Sequence, residues 1–240
     1  MNIVADLTKD LLTRIFEIDS GIDREIDKNI IKNIAHLHGR RYLIALAGVP
    51  GSGKTTLATS LCMEVNARLG KKSTNGMVAL GMDGFHLTRA ELRQRPDAAE
   101  ALARRGAPWT FAPKRLAERL RELRSAAGDH AVGWPDFQHE LGDPIENGQW
   151  VPAETGLVLV EGLYLLHTSD GWEEVSSLFD ERWYLDTPLP LALQRLADRH
   201  QRAWHISPAE AEARIAANDR LNAEIVQQSR GNADRIIREA

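Results

Sequence analysis

The sequence predicts an α/β fold: a mostly parallel central sheet with helices on both faces, three layers in all, and a helical hairpin ahead of it. Three observations carry this. Short β-prone apolar runs at 42–47 (YLIALA), 77–82 (MVALGM) and 157–160 (LVLV) lack the polar alternation of half-exposed strands. They suit strands buried on both faces of a parallel sheet. Helical periodicities separate the runs, as crossovers between parallel strands require. The first run also passes through a glycine-rich turn straight into a helical pattern.

That turn reads ALAGVPGSGKTT over 45–56, and Gly48-x4-Gly53-Lys54-Thr55 fits the G-x-x-x-x-G-K-[ST] pattern at every position. Behind it, Leu57, Ala58, Leu61, Cys62, Val65 and Leu69 repeat on one helical face, and Gly70 stops the helix. The glycines let the backbone curl until successive N–H groups point at one phosphate chain, and the positive end of the helix adds to the attraction. Gly48, Pro50, Gly51, Ser52, Gly53, Lys54, Thr55 and Thr56 are therefore the expected nucleotide-binding residues. Lys54 reaches for the β- and γ-phosphates, and the Thr55 hydroxyl is a ligand for Mg²⁺. A chance lysine after a glycine-rich turn would lack the strand and helix that frame this one. The motif predicts a nucleoside triphosphate, and with it a three-layer P-loop NTPase fold.

Bulk composition narrows the alternatives. With 240 residues the chain fits one large domain, or a domain with an appendage. A net charge of −4 and a pI near 6.1 give no footprint for nucleic acid or an anionic membrane. No apolar run approaches the roughly 20 residues that span a bilayer. The N-terminus carries acids and no long apolar core, so no signal peptide is expected. The single Cys62 cannot form an internal disulfide, and a reducing, cytoplasmic setting is the expectation.

Residues 1–40 differ from the rest. Leu7, Leu11, Ile15 and Ile18 form one helical stripe, and Ile22, Ile26, Ile30, Ile34 and Leu37 a second, with Ser20-Gly21 between. The expectation is an α-hairpin packed on a core domain of 41–240, the alternative use of such a stripe being a homodimer contact. In the core, the second apolar run ends in Asp83-Gly84-Phe85-His86, and ligands of open parallel sheets collect at the carboxyl ends of strands. Asp83 is thus a candidate base, or else a turn cap. Thr88-x-x-Glu91 reads as a capping box, and a helix over 97–105 ends at Gly106, bringing Arg104 and Arg105 to its end. Those arginines either satisfy terminal carbonyls or bind an anion. Pro113 opens a helix with Leu116, Leu120 and Leu123 in register.

Residues 134–144 (WPDFQHELGDP) read as an irregular loop rich in polar groups, and their spacing matches no closed zinc site. Glu161 closes the 157–160 strand, where a buried acid is costly unless a metal or a cation stands beside it. A fourth strand follows at 182–186 (RWYLD). Pro188 begins a helix whose far end carries Arg195, Arg199, His200 and Arg202. Ser207-Pro208-Ala209-Glu210 restarts helix, and 235–237 is a candidate edge strand. The break between the two helices, around 195–207, suits a lid over a nucleotide.

In combination these pieces resemble the P-loop kinases of small metabolites, the group of uridine kinase, pantothenate kinase and phosphoribulokinase. The features that carry the resemblance are GVPGSGKTT, MDGFH, RRGAPWTF, LVLVEGLYLL and DERWYLDTPLPLALQRLADRH, over about residues 42–237. A branch of fungal and bacterial kinase-like proteins, some described as fructose-transport-system kinases, is more similar still. It shares MDGFHL, RRG-x-P-x-TF, the P-x-F…DP loop, EGLYLL and the ND-x-x-N of residues 218–222. The resemblance implies ATP and Mg²⁺ and a small-molecule substrate. Asp83, Lys54, Arg195 and Arg199 would be the catalytic residues, and Thr55 and Glu161 the metal-side ones. Asp83, His86, Arg104, Arg105, Phe137 and His139 would face the acceptor. The expected reaction moves the γ-phosphate of ATP to a hydroxyl of a sugar, or of a glycerate- or pantothenate-like alcohol. The competitors are an ATPase or nucleotide switch acting on a partner, and a nucleoside kinase. The 134–144 segment departs from the uridine kinase pattern, which weighs against a nucleoside. No Asn-Lys-x-Asp guanine motif is present.

Overall fold

The computed structural model describes residues 3–16, 41–70, 76–138 and 141–238. Five strands form one parallel sheet: β1 (Tyr42–Ala47), β2 (Met77–Gly81), β5 (Leu157–Gly162), β6 (Glu181–Leu185) and β7 (Arg235–Ile237), in the order β2-β5-β1-β6-β7. The sheet follows from the apolar runs, because every strand in its middle is buried on both faces. In β1, Leu43, Ala45 and Ala47 face one core, and Ile44 and Leu46 face the other. The same parity splits Val158 and Val160 of β5 from Leu157 and Leu159.

One layer consists of α1 (Ile3–Phe16) and α2 (Lys54–Leu69). Leu7, Leu11 and Leu12 join Leu57, Ala58, Leu61 and Val65 against the Ile44 side of the sheet, and Asp10 pairs with Arg235 at the start of β7. The first helix of the expected N-terminal hairpin is therefore seated on the core, whereas its second stripe, within 17–40, lies outside the described residues. Cys62 on α2 is half-buried and its Sγ donates to the Met77 carbonyl at 3.0 Å.

The opposite layer holds α5 (Pro113–Ser125), α6 (Trp172–Ser177) and α9 (Arg220–Gln228). Leu116, Leu120, Leu123, Val175, Ala223 and Val226 cover the Leu43 side of the sheet. Between β2 and α5 run two short helices, α3 (Arg89–Arg93), which carries the Thr88–Glu91 capping box, and α4 (Ala98–Ala103). Pro113 opens α5 as its position predicts. Arg41, fully buried at the entry to β1, donates to the carbonyls of Leu123, Pro152, Ala153 and Thr155 and so ties α5 to the sheet.

The 134–144 segment corrects the sequence reading. Its residues 134–138 and 143–144 are not irregular loop but belong to an antiparallel pair, β3 (Val132–Gln138) and β4 (Asp143–Val151). Tertiary contact makes it a hairpin despite its Gly, Pro and Asp residues. Trp134 is fully buried and its indole N–H donates to the Gly81 carbonyl at 2.8 Å, fastening the hairpin to the end of β2. After β6 the chain forms α7 (Leu189–Trp204) and α8 (Pro208–Arg214), with a capping box at Ser207. A π-helical turn, Ile215–Asp219, leads into α9. No helix among the described residues is long and apolar enough to cross a membrane.

Candidate active site

The phosphate loop joins β1 to α2 at the carboxyl edge of the sheet. Gly51 and Gly53 have φ of +77° and +92°, a region that only glycine enters cheaply. Gly48 has a different reason: a Cβ there would stand 2.9 Å from Ser52 Oγ and 3.0 Å from the Leu185 carbonyl oxygen. Because α2 begins at Lys54, the N–H groups of Lys54, Thr55 and Thr56 belong to its first turn and have no intrahelical acceptor. They form an anion cradle of backbone donors. The Ser52 carbonyl is fixed by the Thr187 hydroxyl at 3.0 Å, and Ser52 Oγ is buried without a partner. Pro50 is buried in the loop.

Lys54 is buried, its Nζ donating to the Val49 carbonyl at 3.1 Å. Burial pushes its ammonium below the usual lysine range. The fields of Glu161 and Asp83 oppose that shift, and Arg199 adds to it. Glu161, at the end of β5, accepts the Thr55 hydroxyl at 2.8 Å. Burial pushes its carboxyl up, with Lys54 acting against that and Asp83 with it. One site thus collects Lys54, Thr55, Glu161, Asp83 and Arg199 from four different elements.

The Thr55–Glu161 donor set is chemically compatible with Mg²⁺. Mg²⁺ takes few protein ligands, a carboxylate or two with phosphate oxygens and waters for the rest. The Thr55–Glu161 pair at the mouth of the cradle offers one hydroxyl and one carboxylate, which suits that ion. No cluster of three or more His, Cys, Asp or Glu side chains able to hold a metal occurs among the described residues, so a metal here depends on the nucleotide's own oxygens.

Asp83 stands exposed in a 3-10 turn (Met82–Phe85) immediately after β2. Since Gly81 is in register with Glu161, the two acids leave adjacent strand ends. The turn is fixed from behind. A Cβ on Gly84 would come within 2.0 Å of the Pro135 carbonyl oxygen, so only glycine lets the hairpin close on it. His86 Nδ1 donates to the Asp83 carbonyl at 2.8 Å, and its ring lies against Phe111 (3.9 Å between centroids) and Phe137 (4.8 Å). His86 and, through it, Phe137 thus stand next to Asp83. His139 lies outside the described residues.

The two arginines at the end of α4 diverge. Arg105 pairs with Asp143 at 2.7 Å, donates to the carbonyls of Leu87 (3.0 Å) and Gly142, and lies over Phe137. It ties the base of the hairpin to the Asp83 segment. Arg104 is gripped instead by Asn218 and Asn222 at 3.2 and 3.1 Å. Tyr164, three residues past Glu161, donates to the Gly106 carbonyl at 2.6 Å. Burial holds its hydroxyl well above the usual tyrosine range, within the fields of Arg104, Asp83 and Asp219. Sequence reasoning assigned no role to Tyr164 or Asp219; EGLYLL and ND-x-x-N were their only signals.

The basic helix α7 crosses the phosphate loop: a Cβ on Gly51 would stand 2.1 Å from the Ala192 carbonyl oxygen. Arg195 and Arg199 follow one and two turns later, both exposed. Of these, Arg199 is the one whose field reaches Lys54 and Glu161. The helix ends at His205, in a left-handed conformation with φ 51°, and a small cluster of Leu193, Leu196 and Ile215, with His200 3.9 Å from Asp219, joins it to the π turn.

Comparison with known proteins fits this geometry. The model of the Phosphoribulokinase / Uridine kinase family matches residues 43–233. The chain belongs to this family of P-loop kinases. It is 32% identical over 203 residues to a Schizosaccharomyces pombe protein provisionally named a uridine kinase, covering 84% of this chain and 85% of that one. It is 37% identical over 153 residues to the ATP-dependent kinase-like protein notR′ of Aspergillus versicolor, covering 62% of this chain and 88% of that one. Among solved structures, a Silicibacter protein provisionally described as a fructose transport system kinase superposes with a TM-score of 0.77 at 27% identity, over 99% of both chains. Kinase chemistry with ATP as phosphoryl donor follows from this membership.

Proposed function

We propose that this kinase transfers the γ-phosphoryl group of ATP to a hydroxyl of a small polar metabolite, with Asp83 as the base. The observation that carries the reading is the exposed Asp83 at the end of β2, in the same electrostatic cluster as the buried Lys54 and Glu161. The backbone donors of residues 48–56 hold the β-phosphate side, and Lys54 spans to the γ-phosphate. Thr55 and Glu161 would hold Mg²⁺, which would offset the charge on the phosphate oxygens. Asp83 accepts the hydroxyl proton as the acceptor oxygen attacks in line. Arg199, with Arg195 beside it on the lid of 195–207, meets the charge that spreads over the transferred group. His86, Phe137 and Arg104 line the acceptor side.

A water-activating ATPase or switch would use the same cradle but has no need of a base facing an acceptor pocket. ADP release over a panel of sugars, hydroxy acids and alcohols, with mass detection of the product, separates the two. A phosphorylated product that disappears in Asp83→Asn is the expected result, and ADP formed with no phosphorylated acceptor anywhere in the panel sinks the reading.

A further inference from the structure

Arg104 is held in a way that leaves its charge unanswered. Its Nε and one terminal nitrogen donate to the side-chain amide oxygens of Asn218 and Asn222, and its guanidinium lies 5.6 Å from the centre of the Trp109 ring. None of these partners carries a charge, whereas Arg105 next door is paired with Asp143. A guanidinium has five N–H donors in a planar fork, so most of Arg104's capacity is open. Half-buried cations of this kind are costly unless an anion arrives to meet them. The two asparagines are four residues apart, and Asn218 also donates to the Arg105 carbonyl at 2.8 Å, so the clamp grips the Arg104 side chain and the backbone of the next residue together. Gly106 completes the fit with φ +105°, where a Cβ would touch the Asn222 amide at 3.4 Å.

The fold directs this arginine toward the acceptor rather than the triphosphate. Tyr164 lies two residues beyond the end of β5 and donates to the Gly106 carbonyl, two residues from Arg104. Asp83 leaves the neighbouring strand end. At the phosphate cradle it is Arg199 whose field acts on Lys54.

Resting on the kinase reading above, we propose that the acceptor is an anionic hydroxy compound, a carboxylate or phosphate, whose oxyanion is received by Arg104. Asn218 and Asn222 are positioning residues that aim the guanidinium while leaving its charge free. An Asp or Glu in either place would hold Arg104 equally well and neutralise it.

Matched pairs test this: glycerate against glycerol, gluconate against glucose, and ribose 5-phosphate against ribose, each with the full chain and Mg·ATP. The expected result is that the anionic member of one pair wins by at least tenfold in kcat/KM. Arg104→Met should remove that advantage while changing KM for ATP less than threefold. Which pair responds distinguishes carboxylate from phosphate. Asn222→Asp is the second variant: it places a carboxylate on Arg104, so thermal stability is kept while KM for the anionic acceptor rises at least tenfold. A purely structural clamp predicts unchanged KM in that variant, and this outcome overturns the positioning role. Equal use of neutral and anionic partners overturns the inference and leaves the kinase reading standing, while ATP consumption with no phosphorylated product from any pair overturns both. Where no pair is turned over and no ATP is consumed, saturable binding of an anionic member to the Mg·ADP enzyme, lost in Arg104→Met, is required. Its absence refutes the inference.

Discussion

Gly51→Ala tests the coupling between phosphate loop and lid. The residue's φ of +77° costs a side chain about 1–2 kcal/mol. The added Cβ would also stand 2.1 Å from the Ala192 carbonyl oxygen, against the backbone of α7. Relieving that contact moves the first turns of α7 outward by about 1 Å, and misplacement on that scale costs about 10²-fold in rate. Because Arg195 and Arg199 sit on the same helix, the displacement carries both of the arginines proposed to meet the transferred group. The expected outcome is a folded protein whose Tm falls by roughly 2–8 °C, given about 2–4 °C per kcal/mol for a domain of this size. Its kcat should fall about 100-fold, measured by coupled ADP release with Tm from calorimetry. A Gly51→Ala variant with wild-type kcat would show that α7 is not mechanically joined to the loop, and the lid argument would go with it.

Asp83→Asn should leave Mg·ATP affinity within about twofold, by titration calorimetry, and lower turnover by 10²–10⁴, the usual range for removing a base; retained turnover returns Asp83 to a turn cap. Arg199→Ala should lower kcat by at least about 10³ with a much smaller change in KM for ATP, and equal changes in both would assign it to ground-state binding. His200 is buried against Trp204 with its Nδ1 unpartnered and Asp219 3.9 Å away. Burial, aided by Arg199 and Arg214, lowers its pKa to about 4. The unfolded chain titrates near 6.5 and so binds the proton first, which means stability is full above pH 6.5 and declines as pH falls toward 4. The loss is at most about 3 kcal/mol, and urea midpoints of His200→Gln should decline less over that interval than those of the wild type.

The parts of the molecule that were legible in the sequence are those whose cause is local. The phosphate loop follows from the spacing of Gly48, Gly53, Lys54 and Thr55, and the strands follow from apolar runs buried on both faces. The β3–β4 hairpin was not legible. Its Gly133, Pro135 and Asp136 are poor strand formers, and its outer strand is mostly exposed, so neither propensity nor alternation marks it. Asn147-Gly148 has the letters of a hairpin turn, yet lies within β4 opposite a register shift between Trp134 and Asp136. What decides the segment is docking: Trp134 on Gly81, and Pro135 on a glycine at 84. The Arg104 clamp was hidden for the same reason, since its partners are 114 and 118 residues away. Sequence could name both halves, RRG and ND-x-x-N, without joining them.

The charges around the cradle also bear on how the lid closes. Lys54 and Arg199 stand near Glu161 and Asp83, two cations against two carboxylates. Such a set is close to balanced before any nucleotide binds, and Mg·ATP brings net negative charge into it. The surplus would be offset by drawing further cations inward, and Arg195 and Arg202, both exposed on α7, are the candidates. Closure driven in this way acts across solvent, where screening is strong: the Debye length falls from about 10 Å at 0.1 M salt to about 3 Å at 1 M. KM for ATP should therefore rise with ionic strength, and the slope should flatten in an Arg195→Gln, Arg202→Gln double variant. The buried Lys54 contact is screened much less, so a residual affinity should persist at high salt. An affinity for ATP that ignores salt altogether would mean the lid helix is already closed before the nucleotide arrives, with α7 acting as a fixed wall of the site.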